Sequence, residues 1–439
     1  MILTLMNQLL LSPSDILMMR DARPMEGSLS GHTLLWPTPD LITHALRAAL
    51  SRSGLSCHRH EYQPRGQARS YRGPANRTAV FGSVLQAGPF PVRLGADGAE
   101  WYFPCPLDVE LGVAAPTSLP LPREMSSCSS LPAPLRYSVA SLCAPNKENR
   151  APVWFSAGAW ARYAAASAAG AVGGSSAQLA PGEGIGYADV ADAEHHYGIA
   201  REDAAGAVKK GCFYSYTGLR IKPEWRLGSW VSSSEKTADG GRSDVLRELL
   251  TRDKHIVVGG QQRVCTAELS EAGALPLPPL PELQADADGK VRVKWVLLTP
   301  AIWSRHGEHP GGWLPGWVHA GTGAVLLQGG DRTRRPGEHR ASWRARLQQE
   351  DSGIAARLVA AVVGKPLSIS GYGQDGPKVA HAAAPAGSVY YFECDSAEAA
   401  AALCRALHCT ASPTFNRRSE LLGEQGFGLG LCAPWHFAN

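Results

Sequence analysis

Arg20 and Arg23 flank Asp21 where an apolar run, Ile16 to Met19, stops, and Pro24 fixes the backbone immediately afterwards. Guanidiniums present planar forks of donors that match phosphate oxygens and base edges. A carboxylate between two of them can orient a fork. Solvated on a loop, the same residues make an ordinary surface ion pair of little energetic weight. Arginine recurs from Arg52 to Arg77, Arg69 and Arg72 included, against one acid, Glu61, and again from Arg332 to Arg346. The second candidate feature is glycine. Gly423, Gly426, Gly428 and Gly430 surround Phe427 near the C-terminus. Such spacing lets backbone N–H groups approach an anionic ligand closely, and serves a tight turn into a terminal strand equally well.

Other chemistries are poorly supplied. The ten cysteines form no C-x-x-C, and Cys57-His58-Arg59-His60 lacks a matching second pair, so no metal is expected. There is no GxxxxGK[ST], because Pro366 follows Gly364-Lys365, and there is no GxSxG or HExxH. Gly182, Gly184 and Gly186 miss the GxGxxG spacing and read as a turn. Fourteen histidines offer general acids and bases, but no pair stands out.

Elements must position these residues. A strand is expected within residues 2–20. After a loop to Gly31, Thr38 can cap and Pro39 start a helix whose Leu41, Ile42, Ala45, Leu46, Ala49 and Leu50 form one apolar stripe, ended by Gly54. Residues 56–77 read as a long basic loop or hairpin. Residues 104–152, rich in Pro and Ser, read as a surface connection. An Ala-rich helix passes into a Gly/Ser linker near Gly173, taken as the domain boundary. The second half is strand-heavy, with helices expected near Ser243–Arg252, Trp343–Val363 and Ser396–His408. A Pro/Leu break, GALPLPPLPEL, separates two strand groups, and no internal repeat is visible. Strands with a few irregularly placed helices indicate an α+β fold.

The 439 residues exceed one ordinary core and imply two to three domains. Apolar residues reach 44% and charged ones only 19%, so the chain can bury substantial cores; 47 glycines and 32 prolines imply many tight turns. A net charge of +4 creates no global field for a polyanion. Scattered single cysteines suit a reducing compartment. The apolar start lacks a basic n-region and cleavage site, and no stretch is long enough to span a bilayer. A cytoplasmic location without membrane contact is expected.

Several segments in order resemble one family, the guide-RNA-handle subunit of type III-B CRISPR–Cas effector complexes, the third Cmr-module protein of the RAMP superfamily. They run from DILMMRDARP and LLWPTPDLITHALRAAL through FGSVLQAGPF, WYFPCPLDV and EHHYGIAREDAAGAVKKGCFYSYTGLRI. They continue with VVGGQQRV, WVLLTPAIW, GYGQDGPKVAHAAAPAGSVYYFE and GEQGFGLGL. The resemblance spans both halves of the chain, and residues 104–152 and 305–350 depart from it.

The resemblance implies two ferredoxin-like, RRM-related domains, 1–175 and 176–439, with long loop and hairpin insertions. It implies no catalytic centre, cofactor or metal. The partners it implies are the 5′ handle of the guide RNA, the large polymerase/cyclase-type subunit, the backbone RAMP subunits and, indirectly, target RNA, whose sequence base pairing would read. It assigns RNA contact to Arg20, Asp21, Arg23, Arg69, Arg72, Gly259, Gly260, Arg263, Tyr372, Lys378, Gly423, Gly426, Phe427 and Gly428. Tyr372 serves either as a stacking ring or as core. Two rivals stay open: a guide-processing endoribonuclease with His32 or His381 as base, and a purely structural adaptor.

Overall fold

The structure is a computed structural model, and it describes residues 6–19, 29–31, 33–55, 84–96, 98–124, 130–144, 147–173, 177–202, 206–233, 235–236, 242–271, 275–305, 308–328, 339, 342, 353–373, 376–377, 379–411 and 415–438. Its largest sheet has eight strands in the order His255–Val257, Val264–Glu271, Asn7–Pro13, Trp225–Ser232, Leu85–Gly95, Gly98–Pro104, Trp154–Ser156, Gly184–Ile185. Its four core strands are antiparallel: Asn7–Pro13 lies between Val264–Glu271 and Trp225–Ser232, and Leu85–Gly95 follows. Two helices, Pro39–Arg52 and Val245–Arg252, complete a β-α-β-β-α-β order.

Alternation fixes which face the helices cover. Leu9 and Leu11 face them with Leu227, Val231, Cys265 and Ala267, against Ile42, Leu46, Leu246 and Leu249. Both helices begin as the residue types suggest. Pro39 occupies the first turn, and Asp244 accepts hydrogen bonds from the Leu246 and Arg247 N–H groups. Thr38 holds the cap position without a side-chain bond.

A second sheet, of four strands, runs Ala356–Val362, Val389–Cys394, Val291–Leu297, Gly430–Pro434, all antiparallel. Numbered along the chain, its spatial order is that of the first sheet's core. Helix Ala397–Leu407, capped by Ser396, precedes the last strand. The helix expected over Trp343–Val363 is corrected: Ala356–Val362 is a strand on the edge of this sheet, and 343–352 lie outside the described residues. Its Leu358, Val359 and Ala360 are all fully buried, which suits a strand packed on both faces rather than a one-sided helix.

Sheet pairing crosses residue 175, where the domain boundary was expected. Strands of the first sheet run on to Glu271, and the sheets divide across the Pro/Leu segment before Val291. The sequence between 104 and 152 is not all loop, since Ser118–Glu124 pairs with Tyr137–Ser141. The halves share one apolar core, in which Phe90, Trp101 and Trp230 meet Trp160, Tyr163, Val296, Tyr391 and Leu431. In its centre the Lys294 ammonium lies 2.8 Å from Asp108 Oδ2, both side chains fully buried. Tyr163 and Tyr391 hydroxyls donate to the same carboxylate at 2.8 and 3.2 Å.

Candidate nucleic-acid interface

Three segments distant in sequence converge beyond the end of strand Asn7–Pro13. The first is the chain leaving that strand. Leu17 exchanges backbone hydrogen bonds with Leu219, Met19 accepts one from Leu34 N, and Arg20 follows directly. The second is a long hairpin, Ala191–Arg201 paired with Val208–Ile221. The third is the Gly259–Arg263 loop. Gly260 N donates to Met18 O at 2.8 Å. Gly259 has φ +77°, and a Cβ there would stand 2.6 Å from the Met18 carbonyl oxygen, so glycine is required for the close approach.

Side chains join the same three segments. Arg263 Nη1 donates to Asp15 Oδ2 at 2.7 Å, and its Nη2 reaches Gln261 Oε1 at 3.1 Å and the Tyr216 hydroxyl at 3.4 Å. Arg220 Nη2 donates to Asp15 Oδ1 at 3.1 Å and to Glu194 Oε2 at 3.1 Å, and its Nε to Glu194 Oε1. The His196 ring stacks on Tyr216 at 5.1 Å between centroids. The Ile16 N–H first, then the two guanidiniums, hold the Asp15 carboxyl below its usual range, and Arg220 does the same for Glu194. Two cations and two anions make this cluster electrically neutral. On the hairpin's other face Tyr197 and Phe213 stack at 5.9 Å and are 71% and 54% exposed.

The second glycine loop holds the corresponding place in the other half. Each loop leads into the last strand of its sheet, and each donates a glycine N–H to a carbonyl just past the first strand: Gly260 to Met18, Gly428 to Pro300, both at 2.8 Å. The surroundings differ. Gln425 and Phe427 N–H groups bond to Leu422 O, and Gly426 N to Gly423 O, so these donors are taken up internally. A Cβ on Gly426 (φ +99°) would stand 2.6 Å from Gln86 Oε1. Thr43 donates to Gln425 O at 3.2 Å, which ties the loop to the first helix of the chain.

The expected open anion cradle at Gly423, Gly426 and Gly428 is therefore corrected: in the described chain the loop is buried between the halves. Phe427 is corrected with it. Its ring is fully buried with Ile302, Ile369 and Ala383 and is a core residue. Desolvation also marks the guanidiniums nearby. Arg418 is pushed down to about 10 by desolvation, and Arg47 to about 10 by the same cause, opposed by Glu424.

The structure thus brings Gly259, Gly260 and Arg263 together with the point from which Arg20, Asp21 and Arg23 depart. Those three residues, with Arg69, Arg72, Lys378 and His32, lie outside the described residues. Tyr372 begins a two-residue strand paired with Gly376–Pro377, and its side chain is outside the description. His381, on strand His381–Ala384, is lowered by burial. Sequence reasoning missed Asp15, Glu194, His196, Tyr216 and Arg220. Their signal was a period of two: Asp192, Glu194 and His196 alternate along one strand face, opposite Arg220, Gly218 and Tyr216. No cluster of His, Cys, Asp and Glu suited to a metal ion occurs among the described residues, and no helix there is long and apolar enough to cross a membrane.

Comparison with known proteins completes the picture. No curated protein matches the sequence. A cryo-EM structure of the type III-B Cmr-beta bound to cognate target RNA and AMPPnP contains a chain with 12% identity and a TM-score of 0.37, over 88% of this chain and 86% of that one. The complex bound to cognate target RNA alone gives 12% identity and a TM-score of 0.36 over the same shares. Likeness of that degree adds nothing to the assignment. A family model described as CRISPR-associated protein (Cas_Cmr3) matches residues 9–435, nearly the whole chain, and so the chain belongs to the Cas_Cmr3 family of CRISPR-associated proteins.

Proposed function

We propose that this chain is a non-catalytic subunit that holds the 5′ handle of the guide RNA and joins the large polymerase/cyclase-type subunit to the backbone RAMP subunits. It acts in the cytoplasm and meets target RNA only through the guide. The observation that carries the handle assignment is the convergence at Met18 and Met19. Backbone hydrogen bonds from Gly260, Leu34 and Leu219 brace the chain there. The segment Arg20-Asp21-Ala22-Arg23-Pro24 follows in sequence directly from this braced point. The stacked, exposed Tyr197 and Phe213 offer flat apolar faces of the kind on which unpaired bases rest. The two core strand orders, each first-fourth and third-second neighbours, support two ferredoxin-like domains divided between Glu271 and Val291.

The test is a double substitution, R20A/R23A, in the assembled effector. Charge-assisted hydrogen bonds contribute about 1.5–3 kcal/mol each, so guide binding should weaken by at least tenfold while the subunits still assemble. A variant that retains guide RNA like the parent refutes the assignment of these arginines. Incubation of the purified chain with labelled precursor RNA, without metal, addresses catalysis: specific cuts at the repeat boundary would overturn the non-catalytic role.

A further inference from the structure

Asp15 and Glu194 place two carboxylates in a surface assigned above to RNA. Asp15 is 50% exposed and Glu194 33%, so both stand where phosphates would feel them. Like charges near a phosphodiester backbone weaken its binding. Mechanical cohesion does not require them, because the Leu17–Leu219 and Met18–Gly260 backbone bonds already join the three segments. Their effect is on charge: each guanidinium of the cluster meets a carboxylate, Arg263 at Asp15, and Arg220 at both Asp15 and Glu194.

We propose that Asp15 and Glu194 are specificity-determining residues: by neutralising Arg220 and Arg263 they remove a sequence-blind attraction for RNA from the braced site, which leaves selection of the guide's 5′ segment to groups that must fit it. The inference rests on the RNA-holding role above. Sequence-independent affinity for nucleic acid comes chiefly from cations on phosphates, and it carries the salt dependence. A neutral platform contributes little to it. The platform still positions the residues that leave it, since Arg263 is held at once by Asp15, Gln261 and Tyr216.

The test uses the full chain assembled with its partner subunits and two 3′-labelled RNAs. One begins with the host's repeat-derived handle, and the other has those nucleotides shuffled. Affinities are measured from about 50 to about 200 mM salt, a range over which phosphate contacts dominate the change. Asp15→Asn preserves shape and removes one charge; D15N/E194Q removes two. The expected result is tighter binding of the shuffled RNA and a smaller preference for the handle. The slope of log affinity against log salt should steepen by about 0.7 for each guanidinium released. D15N/R263Q, which removes the guanidinium that Asp15 neutralised and leaves the Arg220–Glu194 pair in place, should restore the parent slope, a reversal that a merely structural role would not produce.

Unchanged slopes, equal weakening on both RNAs, or failure of D15N/R263Q to reverse the change would overturn the inference while leaving the RNA-holding role intact. A parent complex with no preference for the handle would overturn both. Circular dichroism of each variant at matched salt separates these results from unfolding.

Discussion

Replacing Lys294 by methionine should destabilise the chain severely, and the reason lies in where its charge resides. The ammonium sits 2.8 Å from Asp108 Oδ2 with neither side chain exposed, and 4.3 Å from the centroid of the Tyr163 ring. Burial lowers the lysine pKa, and the Asp108 carboxylate opposes that effect by charge and by hydrogen bond. Lys294 belongs to a strand of the second sheet, and Asp108 to the connection beyond strand Gly98–Pro104 of the first. Methionine fills similar volume but leaves the carboxylate with only hydroxyl donors. Removing one partner of a buried pair costs about 3–5 kcal/mol. Asp108→Asn should cost a similar amount by stranding the ammonium. The double variant K294M/D108N leaves no buried charge, and the amide oxygen that replaces the carboxylate can still accept from the Tyr163 and Tyr391 hydroxyls. It should therefore lose much less than the two single losses combined. Urea unfolding followed by tryptophan fluorescence measures all three, since Trp160 and Trp295 lie in the two halves concerned. A loss below about 1 kcal/mol for K294M, or additive losses in the double variant, would refute the claim that this pair joins the halves.

Two further outcomes follow from local geometry. His408 is fully buried, its Nδ1 accepting the Cys432 N–H at 3.1 Å, and desolvation pushes its pKa down to about 4. The unfolded chain binds a proton near its ordinary value of about 6.5 while the folded chain does not. The stability it confers is therefore complete above about pH 6.5 and declines toward pH 4, by about 3 kcal/mol in all. Denaturation midpoints across that range should show the decline, and H408Q should remove that part of it; identical curves would refute the burial argument. Gly228→Ala places a Cβ 2.3 Å from Val92 Cγ2 and 2.6 Å from Trp101. Overpacking of this kind costs about 1–3 kcal/mol, so the thermal midpoint should fall by several degrees, and an unchanged midpoint would mean that the tryptophan moves freely.

The elements that could be read from the sequence were those with a local cause. Helix Pro39–Arg52 shows its stripe and its proline start, and Ala397–Leu407 its serine cap, because both depend on residues within a few positions. Strand Ala356–Val362 was misread as part of a helix. Its apolar residues are buried on both faces, and a continuous apolar run carries no period that separates the two states. The extent of the first sheet was hidden for a related reason. The Gly/Ser stretch near Gly173 looks like a linker, but the strands Trp225–Ser232 and Val264–Glu271 beyond it return to pair with Asn7–Pro13. Pairing across more than 200 residues leaves no local mark.

By itself the sequence determined that this is an α+β chain able to bury substantial cores and that its ordered segments resemble one family, and it nominated the glycine runs and the end of the first strand as candidate sites. Tertiary structure alone decided what each glycine loop does. Gly259–Arg263 and Gly423–Gly428 hold equivalent positions before the last strand of each sheet, and both bond to the carbonyl that follows the first strand. One lies beside an exposed hairpin, the other against Gln86, Thr43 and Pro39, with its Phe427 in the core. The difference comes from how the halves pack, and packing is a property of surfaces assembled from distant residues. The same holds for charge: Asp15, Glu194, Arg220 and Arg263 form a neutral cluster only because three segments meet at the end of one strand.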